Sequence, residues 1–241
     1  MFDTDAILLS LKLALWTLAL LLPFGIWVGH SLVRSGSCKG WIEALLALPL
    51  VLPPTVIGYF FLVGFGGGSI FGIPLVFSFA GILIASLIVN LPFAIQPIQR
   101  AFESIDPEIR EAAQVSGLSA WQTFRLIELP LAWRGITSAA VLTFAHTLGE
   151  FGVVLMVGGA IPGETKTVSI AIYDKVQSFD TAGAGLLSLL LLAISLVAIA
   201  LSYDFLGLRT PYDSAIATKE IASNNRESKP APAVSKLCTL S

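Results

Sequence analysis

Charged side chains are scarce in this sequence. Only 12% of its 241 residues are Asp, Glu, Lys or Arg, and 55% are hydrophobic. An ordinary soluble domain is roughly one-quarter charged. The mean hydropathy of +0.84 is typical of a chain whose solvent is the lipid bilayer. The composition therefore excludes a soluble globular domain and predicts an integral membrane protein.

The sequence is also poor in residues that build metal and catalytic sites. Cys38 and Cys238 are too few and too scattered for a disulfide framework or a metal site. A membrane-embedded enzyme would need a convergent set of nucleophile, base or metal ligands, which these cysteines with His30 and His146 do not provide. No G-x-x-x-x-G-K-S/T motif occurs, so the chain has no phosphate-binding loop. We expect no catalytic residue, no metal, no cofactor in this chain and no nucleic-acid partner.

Long apolar runs are abundant instead. About 20 helical residues cross a hydrocarbon core about 30 Å thick, whereas a barrel strand needs roughly ten. Five segments are long enough: 6–28, 44–65, 75–97, 136–157 and 182–205. The prediction is an all-α integral membrane protein with a five-transmembrane-helix bundle over residues 1–206. Residues 207–241 are polar and short, and predict a disordered cytoplasmic tail.

Positive charges predict the orientation, because cytoplasmic loops are enriched in Lys and Arg. With the N-terminus outside, the outer segments carry only Lys166 and Lys175, and Lys12 lies near the outer interface. The inner segments then carry Arg34, Lys39, Arg100, Arg110, Arg125, Arg134, Arg209, Lys219, Arg226, Lys229 and Lys236. The C-terminus and the segment 100–133 are therefore predicted to be cytoplasmic.

Residues 111–130, EAAQVSGLSAWQTFRLIELP, form a polar stretch between the third and fourth predicted spans. Trp121 and Phe124 offer apolar anchors, and Pro130 is expected to limit the last helix of the stretch. The composition fits two alternatives. The stretch is either a surface for a partner protein or an amphipathic loop on the membrane surface.

The local signals in this region predict two short helices joined by a glycine turn. Asp106 can cap a helix that starts at Pro107, a residue suited to the first helical position. Gly117 is expected to end this helix. Ser119 with Gln122 three residues later forms a capping-box pattern for the second helix.

The same stretch resembles a known family. Its residues match the spaced positions of the EAA signature of permease subunits of bacterial ABC importers: Glu111, Ala112, Ala113, Gly117, Ile127, Leu129 and Pro130. In that family this loop docks into a groove of a separate ATP-hydrolysing subunit, and we refer to residues 100–133 as the coupling segment. With the two aromatic anchors, the predicted ATPase contact comprises Glu111, Ala112, Ala113, Gly117, Trp121, Phe124, Ile127, Leu129 and Pro130.

Two further stretches narrow the resemblance. LPLVLPPTVIGY at 48–59 and LGEFGVVLMVGGAIPGETKTVSIAIYD at 148–174 are similar to the molybdate permease family, a relative of the sulfate/thiosulfate permeases. The resemblance implies an ATP-driven molybdate importer in the bacterial inner membrane, with tungstate or sulfate/thiosulfate as alternatives. It also implies a homodimer, an ATPase dimer that binds ATP and Mg, and an extracytoplasmic oxyanion-binding protein.

The pathway candidates lie in these two stretches. Prolines at membrane depth either border a cavity or only kink a packed helix. Glu150 is an intramembrane acid, for which we expect a structural or gating role rather than direct substrate contact. His146 could pair with it, and this would be the one cluster available to an ion-driven secondary transporter. The candidates are Pro53, Pro54, Thr55, Gly149, Glu150, Phe151 and Gly152.

Lys and Arg are absent from three long stretches, 51–98, 136–164 and 177–207. A tight buried anion site is therefore not expected, and hydroxyls and backbone amides would contact an anion in transit. Outside the spans, Val168, Ile172, Val176 and Phe179 predict one apolar stripe on a short helix. This helix either lies across the outer mouth and meets a binding protein or is an ordinary surface helix.

Overall fold

A computed structural model describes residues 3–35, 39–66 and 75–206, with the side chains of 201–206 excepted. Its helices are α1 (Thr4–Val33), α2 (Lys39–Val51), α3 (Pro54–Gly66), α4 (Phe79–Glu103), α5 (Pro107–Val115), α6 (Ala120–Thr123), α7 (Leu129–Gly149), α8 (Gly152–Gly158), α9 (Val168–Gln177) and α10 (Thr181–Leu206), and a π-helical turn (Phe124–Glu128) joins α6 to α7. Every regular element among these residues is helical, which confirms the all-α prediction. The tail at 207–241 lies outside the described residues.

The helices fit a multi-pass membrane protein. Three of those described, Thr4–Val33, Phe79–Glu103 and Thr181–Ala200, are each long and apolar enough to cross a membrane. Two bent pairs bring the number to five if each pair is one span. The chain divides into two compact units, Met1–Ser202 and Tyr203–Ser241, and the contacts described below lie within the first.

The segment predicted as one helix over 44–65 is two helices. α2 ends at Val51 and α3 begins at Pro54, with a bend of 102° between them. Pro53 and Pro54 cause the break because neither has a backbone N–H and Pro53 disfavours a helical conformation at Leu52. The carbonyl of Pro53 accepts from the N–H of Val56 at 2.9 Å and so starts α3. The predicted kink is thus a sharp corner.

The segment predicted as one helix over 136–157 is also broken. α7 ends at Gly149, α8 begins at Gly152, and the axis bends by 57°. At its other end this helix begins earlier than predicted, since α6, the π-helical turn and α7 are continuous. Pro130 therefore does not limit the second coupling helix. The wider turn, in which the N–H of Leu129 bonds to the carbonyl of Phe124, accommodates the proline.

The central helix of the bundle is α4, which packs against α1, α2, α7 and α8. One buried apolar cluster joins Leu13, Ile82, Val89, Val153 and Val157, and a second surrounds Phe102 near the end of α4. α1 approaches α4 closely because Gly25 and Gly29 lack side chains. A Cβ at Gly29 would lie 3.1 Å from the backbone nitrogen of Gln99. This packing places the middle of α4 and its C-terminal end beside the two regions that carry the candidate sites.

Candidate coupling segment and translocation pathway

The first coupling helix, α5, forms as its sequence predicts. The Asp106 carboxylate accepts from the N–H of Glu108 at 2.9 Å, and Pro107 occupies the first turn. Gly117 ends the helix with φ +82°, a conformation that favours glycine. Leu118 N–H closes the turn by donating to the carbonyl of Ala113 at 3.1 Å. The predicted cap and glycine turn are confirmed.

The second coupling helix starts at the predicted capping box. The Ser119 hydroxyl accepts from Gln122 N–H at 3.3 Å, and the Gln122 side chain accepts from Ser119 N–H at 2.8 Å. Two orphan donors are thereby satisfied at the helix start. The box fixes the direction in which the chain leaves the glycine turn.

The predicted ATPase-contact residues fall into two groups in the structure. The exposed ones are Glu111, Ala112, Gly117, Trp121 and Pro130, whereas Phe124, Ile127 and Leu129 are half-buried and Ala113 is buried. Phe124 and Leu129 pack against the cluster around Phe102. Only the first group offers surface to a partner, and the second attaches the segment to the bundle.

Sequence reasoning missed the most buried charge of the coupling segment, Glu128. Its carboxylate is fully buried in the π-helical turn. Arg110 Nε donates to Oε1 at 2.6 Å, His30 Nε2 lies 2.7 Å from Oε2, and Arg34 Nη2 lies 3.6 Å from Oε2. The available signal was its position four residues after Phe124, on the helix face that turns inward. We call Glu128, Arg110, His30 and Arg34 the Glu128 cluster.

The pathway candidates lie around one cavity of about 580 Å³, where the two bends of the bundle meet. Pro53 is not part of the cavity lining. The other six candidates line the cavity: Pro54, Thr55, Gly149, Glu150, Phe151 and Gly152. Val89, Phe93 and His146 contribute from α4 and α7. Residues about 100 positions apart in sequence are thus brought to one place because both helices break at the same level.

Two glycines allow α3 and α8 to approach each other beside this cavity. A Cβ at Gly152 would lie 2.9 Å from Cβ of Pro54, and one at Gly58 would lie 2.7 Å from Cβ of Met156. Real Cβ atoms rarely come so close, and the proline ring cannot rotate away. The contact between the two bends therefore requires glycine at these positions.

Glu150 caps the broken end of α7 and is buried at 6% exposure. Ser86 Oγ donates to Oε2 at 2.7 Å and Asn90 Nδ2 lies 3.4 Å from the same oxygen, while Oε1 has no hydrogen-bond partner among the described residues. The predicted pairing with His146 is wrong. His146 Nδ1 contacts Asn90 Oδ1 at 3.0 Å, and its ring stacks on Phe93, so Asn90 lies between the two titratable groups.

The arrangement offers no site for metal chemistry in the part of the chain that the structure describes. No group of three or more His, Cys, Asp or Glu side chains there could hold a metal ion. The two regions provide an exposed helix pair at one place and a bent, cavity-lining pair of helices at another.

Comparison with known proteins identifies the family. Residues 22–209 match the family described as "Binding-protein-dependent transport system inner membrane component". The chain belongs to this family. It is therefore a transport component of the inner membrane with several membrane-spanning helices.

Three relatives from two bacteria refine the comparison. The "Molybdenum transport system permease protein ModB" of Azotobacter vinelandii is 46% identical over 76% of this chain and 84% of the relative. Its namesake in Escherichia coli strain K12 is 37% identical over 83% and 92%. The "Sulfate transport system permease protein CysT" of Escherichia coli strain K12 is 32% identical over 65% and 59%.

The fold is that of solved ABC transporters. A bacterial ABC transporter involved in the import of the acidic polysaccharide alginate superposes with a TM-score of 0.69 and 19% identity, over 86% of this chain and 79% of that one. The same transporter with an alginate-bound periplasmic protein also gives 0.69. At this identity the likeness concerns the fold alone, and it confirms the predicted importer-permease architecture.

The apolar stripe predicted at Val168, Ile172, Val176 and Phe179 is packed only over its first half. Val168 and Ile172 pack with Ala6 and Leu187, but Val176 and Phe179 are exposed. Phe179 does not continue the stripe because α9 stops at Gln177 and Phe179 has φ +60°, whereas Val176 is still helical but points away from the packed side. The first residue of α9 is attached to α1, because the N–H of Val168 donates to Ser10 Oγ at 2.8 Å.

The junction after α9 is a charged turn. Asp180 accepts from the N–H of Gly183 at 2.9 Å and from Lys175 Nζ at 3.0 Å. The Gly183 hydrogen bond, with that of Lys175, holds the pKa of Asp180 below its usual value. Asp180 thereby caps α10 at the surface.

Proposed function

We infer that this chain is the membrane-spanning subunit of an ATP-driven importer and forms the translocation pathway for molybdate. The carrying observation is the 46% identity to a molybdenum transport permease over 84% of that relative. The exposed surface of the EAA stretch, with Glu111, Ala112 and Trp121, supports a partner at the coupling segment. The chain itself carries no catalytic residue in this proposal.

The proposed assembly contains two copies of this chain, a dimer of ATPase subunits that bind ATP and Mg, and one extracytoplasmic oxyanion-binding protein. The family description, which names a binding-protein-dependent system, supports the last partner. A second copy is supported by α2, which has no buried residue. Apolar helix surface of this kind needs either lipid or another helix.

The proposed orientation places the N-terminus outside and the C-terminus and coupling segment in the cytoplasm. Clustering of Arg100, Arg110, Arg125 and Arg134 in and around the coupling segment supports this by the positive-inside tendency. The coupling segment then faces the compartment that holds ATP. ATP-driven closure of the ATPase dimer would draw two coupling segments together, and hydrolysis would release them.

The proposed pathway runs along the cavity between the two bends. On its wall, the Thr55 hydroxyl and the backbone at the two bends, near Pro54 and at Glu150–Phe151, offer neutral donors and acceptors. A divalent anion would meet no Lys or Arg in the stretches 51–98 and 136–164. The anion would therefore bind only weakly along the pathway, and the affinity of the system for its substrate would come from the binding protein.

Tungstate and sulfate/thiosulfate are the alternative substrates. The sulfate permease relative, at 32% identity, keeps the second alternative open. Tungstate has nearly the same size and charge as molybdate. An ion-coupled secondary transporter is less supported, because Asn90 separates the two groups that would have formed its coupling site.

The deciding experiment measures which oxyanion drives the assembled complex. The chain, its ATPase and its binding protein are reconstituted in liposomes, and ATP hydrolysis and uptake are followed with molybdate, tungstate, sulfate and thiosulfate. Stimulation by molybdate above sulfate is expected. Uptake without the ATPase would contradict the proposal, and stimulation by sulfate alone would reassign the substrate.

The coupling contact is tested with matched glycine variants. Gly117 and Gly163 have φ +82° and +79°, and a Cβ at either would meet no atom within 4 Å. Gly117→Asp and Glu111→Arg are expected to release the ATPase subunit from membranes, because they place new charge on the proposed contact. Gly163→Asp carries the same backbone strain outside the coupling segment and should retain it. Equal retention by all three variants would contradict the contact.

A further inference from the structure

The first coupling helix has little apolar attachment to the rest of the protein. Within α5, Ala113 is the one residue that is buried, and its side chain is a single methyl group. Glu111 and Ala112 face outward, whereas Arg110 is turned inward with 20% of its side chain exposed. Because so little hydrophobic surface holds the helix, polar contacts of Arg110 carry much of its attachment.

Arg110 connects α5 to two other parts of the chain at once. Its Nη2 donates to the carbonyl of Phe102 at 2.7 Å and its Nη1 to that of Ile105 at 3.4 Å, at the C-terminal end of α4. A cation is favoured there by the helix dipole and the free carbonyls. Its Nε meets Glu128, on the segment that continues into α7.

Glu128 extends the same connection to α1. His30 binds its second carboxylate oxygen, and the His30 ring lies between Phe102 and Phe124, with centroids 5.2 Å and 4.7 Å away. Arg34 adds a second guanidinium at the rim. One buried carboxylate therefore contacts side chains from α1 and α5, and through Arg110 it reaches α4. A buried charge with this many partners has few alternative positions.

We propose that Glu128 is a positioning residue that makes α5, the start of α7 and the inner ends of α1 and α4 move as one body. This rests on the proposed function, in which the ATPase pulls on the coupling segment. Force applied at Glu111 would pass through Arg110 and Glu128 to the membrane helices. Without the Glu128 cluster, α5 would move with the ATPase while the bundle lags behind.

The test uses the full complex in liposomes and measures two quantities, the stimulation of ATP hydrolysis by loaded binding protein and the molybdate taken up per ATP. Glu128→Gln is expected to lower both by about fivefold, the size of effect seen when coupling residues are altered. The ATPase should still copurify with the chain, since the exposed contact surface is unchanged.

Glu103→Gln is the matched control. Glu103 lies at the α4 end of the coupling segment, outside the predicted ATPase contact, and binds Lys39 at 2.6 Å and Gln99 at 2.8 Å. These contacts join α2 to α4, and among the described residues no hydrogen bond or ion pair of Glu103 reaches α5. Its neutralisation should leave both quantities near wild type. A fivefold fall with Glu103→Gln as well, or wild-type values with Glu128→Gln, would overturn the proposal.

Two further variants separate positioning from simple folding. The double variant Arg110→Gln/Glu128→Gln leaves neither of the two charges without the other, so it should keep a stable fold and assembly while stimulation stays low. Arg110→Lys keeps the charge but cannot reach the carboxylate and two carbonyls together, and should also assemble with low stimulation. Recovery of wild-type stimulation in either variant would overturn the proposal. A wild-type complex without binding-protein stimulation would instead overturn the proposed function, and this inference with it.

Discussion

Two buried glutamates mark the two functional regions, and they are solvated in opposite ways. Glu128 in the coupling segment contacts Arg110 and His30, with Arg34 nearby. Glu150 beside the pathway cavity accepts from the neutral Ser86 and Asn90, and its other oxygen has no hydrogen-bond partner in the part of the chain that the structure describes. A saturated carboxylate holds several elements together, whereas one with fewer and only neutral partners leaves the surrounding helices less tightly connected. The difference separates a rigid region from an adaptable one.

The largest expected effect breaks this comparison at its rigid side. Glu128→Ala should lower the free energy of unfolding by about 3 kcal/mol, because it leaves the largely buried Arg110 guanidinium without its counter-charge. Glu150→Ala should cost about 1–3 kcal/mol, since only neutral donors lose an acceptor. Detergent-solubilised protein titrated with a denaturing detergent measures both. An equal loss in the two variants would show that the charged partners of Glu128 add nothing.

The sequence predicted the parts of the fold that depend on local signals. Long apolar runs indicated the regions that the structure forms as three long apolar helices and two bent pairs. Asp106, Gly117 and the Ser119–Gln122 box set the shape of the coupling segment as the structure has it. These features need only neighbours within four residues. The prolines also predicted a helix kink near residue 53, but they did not predict a bend as large as 102°.

What the sequence could not predict depends on distant partners. Arg110 and Glu128 are 18 positions apart and His30 is 98 from Glu128, so no helical periodicity links them. The pairing of His146 with Glu150 is predicted from helical spacing alone. It fails because α7 ends before Glu150 and because Asn90 lies between the two side chains. The cavity, likewise, exists because two breaks far apart in the chain lie at one level.

A smaller effect is expected at the adaptable side, where α3 meets α8. Gly152→Ala would place a Cβ 2.9 Å from that of Pro54, and overpacking of this kind costs about 1–3 kcal/mol. We expect molybdate uptake to fall by roughly tenfold, equivalent to about 1.4 kcal/mol, with the ATPase still bound. Oxyanion uptake and ATPase copurification are measured on the same preparation.

Gly149 provides the control for that variant. It lies in the same bend, but a Cβ there would meet no atom within 4 Å. Gly149→Ala should therefore keep near-normal uptake. If the two alanines behave alike, close contact between the bends is not what the pathway needs.

The smallest expected effect concerns the cap of α5 and sharpens the comparison. Asp106→Ala removes the acceptor for Glu108 N–H and should destabilise this helix end by about 1 kcal/mol, whereas Asp106→Asn keeps a cap. Ser78→Ala removes a similar cap at Gly81 N–H from α4. Because α5 has nine residues and one buried side chain, fraying should reach the ATPase contact and lower copurification severalfold.

The 25-residue α4 is held by its buried face, so Ser78→Ala should leave copurification unchanged. The loss of one capping hydrogen bond would then have different consequences in α5 and α4. Equal copurification in both alanine variants would mean that α5 is held by more than its cap and the Glu128 cluster.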